Sequence, residues 1–124
     1  MKHRVLVIDD EIDICETIRD IASEFAEAVM ASQAEEALKL LEQQQFSLII
    51  SDINMPGMTG LDLLRHLRNK RFSYPVVFVS ATDSDESVAK ALEYGAADFI
   101  SKPFKNDELA ELVKRTLAVV AATH

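Results

Sequence analysis

Three short runs of this sequence are apolar almost without interruption, and each ends on an oxygen-bearing side chain. Arg4-Val5-Leu6-Val7-Ile8 leads into Asp9 and Asp10, Leu48-Ile49-Ile50-Ser51 into Asp52, and Val76-Val77-Phe78-Val79 into Ser80. A strand with one wet face alternates apolar and polar residues, whereas a strand covered on both faces does not. These β-branched runs therefore predict parallel strands buried between two layers. Two weaker runs, Ala28 to Ala31 and Phe99 to Ser101, predict two more strands.

Helical spacing fills the intervals. Ile14, Ile18, Ile21 and Phe25 recur at three- and four-residue steps, as do Ala34, Ala37, Leu38 and Leu41. Leu61, Leu64 and Leu67 follow, then Val88, Ala91 and Leu92, then Leu109, Leu112, Val113, Thr116, Leu117 and Val120. Such stripes are core faces. Ser32 with Glu35, and Asp83 with Glu86, have the spacing of capping boxes, and Gly95 stands where a helix would end in the left-handed conformation. Strand and helix thus alternate five times. Crossovers between parallel strands run right-handed, so the expected fold is α/β, an open doubly wound parallel sheet with helices on both faces.

The chain has 124 residues, the size of one domain, and residues 1–124 are expected to form one. It is 48% apolar, enough to bury a core, and that composition argues against disorder. Its net charge of −8 makes it a poor non-specific ligand for nucleic acid. The local cations Arg65, His66, Arg68, Lys70 and Arg71 read as the wet face and end of one helix. No apolar run approaches the roughly 18 residues that span a bilayer, and only four apolar residues follow Arg4 before Asp9, so a cytoplasmic location is expected. The single cysteine, Cys15, excludes an internal disulfide and falls in a helical stripe as a small core residue.

In open α/β sheets, ligands bind beyond the carboxyl ends of the strands. Here those ends carry Asp9, Asp10 and Glu11, then Asp52, then Ser80, then Lys102 followed by Pro103. Taken singly, each has a bland reading: a helix-capping acid, an Asx-turn residue, a turn serine, an ordinary loop lysine. A convergence of all four strand ends is much harder to explain that way. Three carboxylates brought together repel one another until a cation neutralises them. Lys102 supplies one positive charge, and a hard divalent ion such as Mg²⁺ suits the remaining oxygen ligands. Asp52 beside such an ion can attack phosphorus and become an aspartyl phosphate. The Ser80 hydroxyl can donate a hydrogen bond to that group.

At this point the sequence resembles the response-regulator receiver family of two-component signal transduction. The resemblance is carried by Val7-Ile8-Asp9-Asp10-Glu11, by Ser51 to Gly60 (SDINMPGMTG), by Val79-Ser80-Ala81 and by Gly95 to Phe104 (GAADFISKPF), and it runs along essentially the whole chain. It implies a flavodoxin-like (βα)5 fold with strand order 2-1-3-4-5. It implies Asp52 as phosphoacceptor, Asp10 as a direct Mg²⁺ ligand, Asp9 as a ligand directly or through water, and the Asn54 backbone carbonyl as another. It also implies Lys102 as the phosphate-pairing lysine, Ser80 as hydroxyl switch, Phe99 as aromatic switch, and Pro56 and Gly60 as shapers of the loop after the acceptor. Pro103 matches the family's cis-proline. Phe99 stands where tyrosine is common; lacking a hydroxyl, it can report switching only by ring burial, and a plain boundary aromatic is an equally direct reading. Asn54 and Thr82 flank the expected water path to the phosphoryl group.

The implied partners are a sensor histidine kinase or histidine phosphotransfer protein and a downstream output domain or target. No direct nucleic-acid or membrane contact is expected. The fourth helix, fifth strand and fifth helix would form the output surface, which allows a phosphorylation-dependent dimer. On this reading the protein is not an enzyme beyond its own phosphorylation and dephosphorylation. Two other classes compete. A haloacid-dehalogenase-type phosphatase also uses an Asp after a strand, but wants a second carboxylate two residues later, where this chain has Asn54. A pure interaction module would not need Asp9, Asp10, Asp52, Ser80 and Lys102 together.

Overall fold

The computed structural model describes residues 3–72, 74–81 and 84–123. Ten elements alternate along them: β1 (Arg4–Ile8), α1 (Ile12–Ala22), β2 (Glu27–Ala31), α2 (Ala34–Gln43), β3 (Leu48–Ser51), α3 (Gly60–Asn69), β4 (Val76–Ser80), α4 (Asp85–Glu93), β5 (Asp98–Ser101) and α5 (Asn106–Thr123). The strands form one sheet in the order β2-β1-β3-β4-β5, all parallel. The chain moves outward from β1 to β2, then returns past β1 to continue from β3 in the other direction. Right-handed crossovers on the two sides of that reversal put helices on opposite faces.

The apolar runs behave as their composition requires. Successive side chains of a strand point to opposite faces. Leu6, Ile8, Ile49, Val76 and Phe78 enter one core with Ala34, Ala37 and Leu41 of α2, Leu63, Leu64 and Leu67 of α3, and Ala91 of α4. Val5, Val7, Leu48, Ile50, Val77 and Val79 enter the other with Cys15, Ile18 and Ala22 of α1 and Leu109, Leu112, Val113 and Leu117 of α5. Both faces of the central strands are dry, which is why polar alternation is missing.

Three local expectations differ. In α3 the buried set includes Leu63, while Leu61 lies at the boundary; in α4 Leu92 points outward, 55% exposed, and Ala91 alone is buried. Ser32 bonds Glu36 rather than Glu35, through both its backbone N–H and its hydroxyl. Asp83 lies outside the described residues, and α4 is capped by Ser84, whose hydroxyl accepts from the Ser87 N–H. The capping box that does form is Thr59 with Asp62 at the start of α3. Its Thr-x-x-Asp spacing was open to reading in the sequence, with Asp substituting for the usual Glu or Gln. Gly95 ends α4 with a positive φ, as expected. Among the described residues, no helix is long and apolar enough to cross a membrane.

Candidate functional site

The residues at the strand ends meet because the sheet ladder carries on one step past each strand. Asp9 N–H donates to the Ala31 carbonyl at 3.2 Å, Asp52 N–H to Ile8 at 3.0 Å, and Lys102 N–H to Ser80 at 3.0 Å. Each backbone is thereby fixed by its neighbouring strand before its side chain does any chemistry. Lys102 Nζ donates to Asp9 Oδ2 at 2.9 Å and to Asp52 Oδ2 at 3.1 Å, and lies 3.6 Å from Glu11 Oε1. Residues 93 and 50 positions away in sequence are joined by one ammonium group. Ser80 is buried at the end of β4, beside this cluster in the sheet, and Asp10 is exposed at its rim.

Burial governs the charges here. Asp9 is 1% exposed, and desolvation holds its carboxyl above the usual range even though Lys102 and the Glu11 N–H stabilise the ionised form. Burial pushes the Lys102 ammonium downward, but its bonds to Asp9 and Asp52 outweigh that and leave it raised overall. Asp52 Oδ1 accepts from the Ile53 N–H at 2.7 Å, and Oδ2 from Lys102, so the carboxylate is oriented at both oxygens. One ammonium faces more than one carboxylate. Asp9, Asp10 and Asp52 each offer an oxygen, and these oxygens lie within 4.8 Å of one another. That all-oxygen, net-negative set fits a hard divalent cation such as Mg²⁺.

The loop between β3 and α3 closes tightly over this site. Gly60 N–H donates to the Ile53 carbonyl at 2.7 Å. A Cβ on Gly60 would collide with the Asp52 carbonyl oxygen and come within 2.9 Å of the Phe78 ring, so only glycine lets α3 begin against the end of β3. Gly57 takes φ +79°, a turn conformation that side chains resist. Pro56 is exposed in the same loop, as is Asn54.

The remaining sequence-named residues sort plainly. The Lys102–Pro103 peptide is cis. Phe99 is half-buried, packed on the α2–α3–α4 core with its ring centroid 6.5 Å from that of Phe78. Cys15 is buried, and desolvation pushes its thiol up to about 11, so it is a core residue and not a thiolate nucleophile. Thr82 lies outside the described residues. Arg68 is not the wet-face cation its spacing suggested. Its guanidinium donates to the carbonyls of Phe72 (2.9 Å), Tyr74 (3.2 Å) and Gly95 (3.0 Å). Glu35 was also missed: it leaves its own helix and accepts from the Met58 N–H in the β3–α3 loop. No side-chain pattern signals either contact, because the partners are backbone groups.

This chain resembles known proteins throughout its length. It is 37% identical over 116 residues to the response regulator protein FleR of Pseudomonas aeruginosa, covering 93% of this chain and 24% of FleR. It is 31% identical over 118 residues to the alkaline phosphatase synthesis transcriptional regulatory protein PhoP of Bacillus subtilis, covering 94% of this chain and 49% of PhoP. The chain therefore spans about a quarter and about half of those two relatives. A CheY-like response regulator receiver domain from Methanospirillum hungatei superposes with a TM-score of 0.92 at 29% identity over the whole of both chains. The family model of the response regulator receiver domain matches residues 5–114, and with the 2-1-3-4-5 sheet and its strand-end cluster the chain belongs to that family, the receiver domains of two-component response regulators.

Proposed function

We propose that residues 1–124 act as one receiver unit in which Asp52 accepts a phosphoryl group. The donor is a phosphohistidine on a histidine kinase or histidine phosphotransfer protein in the cytoplasm. The observation that carries this reading is the Lys102 ammonium bridging Asp9 and Asp52 at 2.9 and 3.1 Å. A carboxylate held this way is an oriented nucleophile with a cation already beside the point of attack.

An oxygen of Asp52 attacks phosphorus, the phosphorus–nitrogen bond to the donor imidazole breaks, and the electron pair leaves with the imidazole. The product is an acyl phosphate. Asp9, Asp10, Asp52 and the Asn54 backbone carbonyl are the residues that would hold Mg²⁺, which when bound supplies the charge neutralisation that a lone ammonium cannot. Lys102 pairs with the transferred group, and the Ser80 hydroxyl donates to it. Drawing those two groups toward Asp52 biases the end of β4 and the half-buried Phe99, shifting populations of the α4–β5–α5 surface that meets an output domain or target, or a second copy.

Incubation with phosphoramidate and Mg²⁺, followed by intact-mass measurement, should add the mass of one phosphoryl group. Asp52→Asn should remove that addition entirely. Full labelling of the variant would move the acceptor elsewhere. Repeated turnover of a simple phosphate ester would favour a phosphatase instead.

A further inference from the structure

The arch formed by residues 53–59 is anchored at both ends. Met55 is buried in the core beside Ile53, and the Gly60 N–H closes on the Ile53 carbonyl. Between these anchors, Pro56 and Gly57 are exposed, and Gly57 takes a positive φ. The arch is reached by Glu35, from the first turn of α2, whose Oε1 accepts from the Met58 N–H at 3.2 Å. Its carboxylate also packs against Gly57, so closely that an added Cβ would meet Oε1 at 3.3 Å and Oε2 at 3.5 Å.

Two features separate this contact from an incidental surface bond. Glu35 has the spacing to cap its own helix with Ser32, yet Glu36 takes that partner and Gln33 at the N-cap makes no side-chain cap bond. Glu35 is therefore directed 23 residues along the chain to another loop. The same carboxylate stands against Gly57, whose positive φ makes the turn, so one side chain meets two successive residues of the arch.

We infer that Glu35 is a positioning residue for the acceptor site: it holds the Pro56–Met58 arch down and thereby sets where the Asn54 carbonyl stands relative to Asp52. This rests on the phosphoacceptor reading above for its consequence, though not for the brace itself. With the brace gone, the arch opens more often, and the share of molecules ready to bind a divalent cation falls. A bond from a backbone N–H to an exposed carboxylate limits the effect to about three- to tenfold.

Two measurements test it on the full chain. The first reads amide hydrogen exchange at Met58 with neither metal nor phosphodonor: Glu35→Ala should accelerate it about three- to tenfold. Glu35→Gln keeps an acceptor oxygen and should restore most of the protection. The second reads the Mg²⁺ concentration giving half-maximal labelling by phosphoramidate, which should rise in Glu35→Ala by a similar factor. The rate at saturating Mg²⁺ and the thermal midpoint should stay near those of the parent, and Glu35→Gln should recover the Mg²⁺ response. Unchanged Met58 exchange in Glu35→Ala overturns the brace. Accelerated exchange with an unchanged Mg²⁺ midpoint overturns its role at the site. If the parent takes no phosphoryl group, the acceptor reading fails; Mg²⁺ binding by calorimetry then replaces labelling and decides the role in the same way.

Discussion

The two ends of the sheet each hold a partly buried cation, and they hold it by opposite means. At the carboxyl ends, Lys102 is bound by the carboxylates of Asp9 and Asp52, and its pKa is raised. At the amino ends of β4 and β5, Arg68 is bound by three backbone carbonyls, and burial lowers its pKa. The Arg68 end is satisfied by hydrogen bonds: the α3–β4 and α4–β5 loops are tied by one planar group with fixed donors. The Lys102 end is left in excess negative charge, with Asp9 desolvated and Asp10 and Glu11 at the rim. One cation fastens the fold; the other sits in a site whose electrostatics improve when a further cation arrives.

Removing each cation separates the two roles. Lys102→Ala leaves Asp9 and Asp52 without their shared partner and should destabilise the protein by about 3 kcal/mol in EDTA. Mg²⁺ should return part of that, because it neutralises the same carboxylates. The alkaline limb should change as well. A lysine raised in the folded state contributes stability in full below its unfolded value of 10.5, and that contribution fades as pH climbs through the higher folded value. Thermal melts of parent and Lys102→Ala should therefore converge above pH 10.5; a constant gap would mean the ammonium is not the stabilising group.

Arg68→Ala should be the next largest loss, about 2 kcal/mol, from three carbonyls deprived of donors. Mg²⁺ should restore none of it. A melting curve rescued by Mg²⁺ would show that the two ends are coupled and break the contrast. Arg68→Lys should recover only part, since an ammonium lacks the fork that spans three acceptors. The smallest effect is expected just past α3, where Arg71 takes φ 62°. Arg71→Gly should stabilise by about 1 kcal/mol in urea unfolding, relieving the left-handed backbone without touching Arg68. A loss there would mean the Arg71 side chain makes a contact worth more than the strain.

What the sequence determined by itself is the layering and which polar residues stand at the strand ends. Uninterrupted β-branched runs have no stable place except between two helix layers, so β1, β3 and β4 were legible, and with them the acids and the serine that follow. The helical stripes fixed which faces turn inward, with errors at Leu61, which lies at the boundary, and at Leu92, which is exposed, where a shift of one position decides burial. The tertiary structure decided which partner each polar group takes. Lys102 could be counted as a neighbouring charge, but only the register of β1, β3 and β5 made it the bridge between Asp9 and Asp52. Glu35 and Glu36 carry the same functional group one residue apart; the turn of α2 sends one to Ser32 and the other across to Met58. Arg68 looked like solvent-facing charge because backbone carbonyls leave no mark in a sequence. Apolar burial is written residue by residue, whereas polar pairing depends on distances that exist only after the chain has folded.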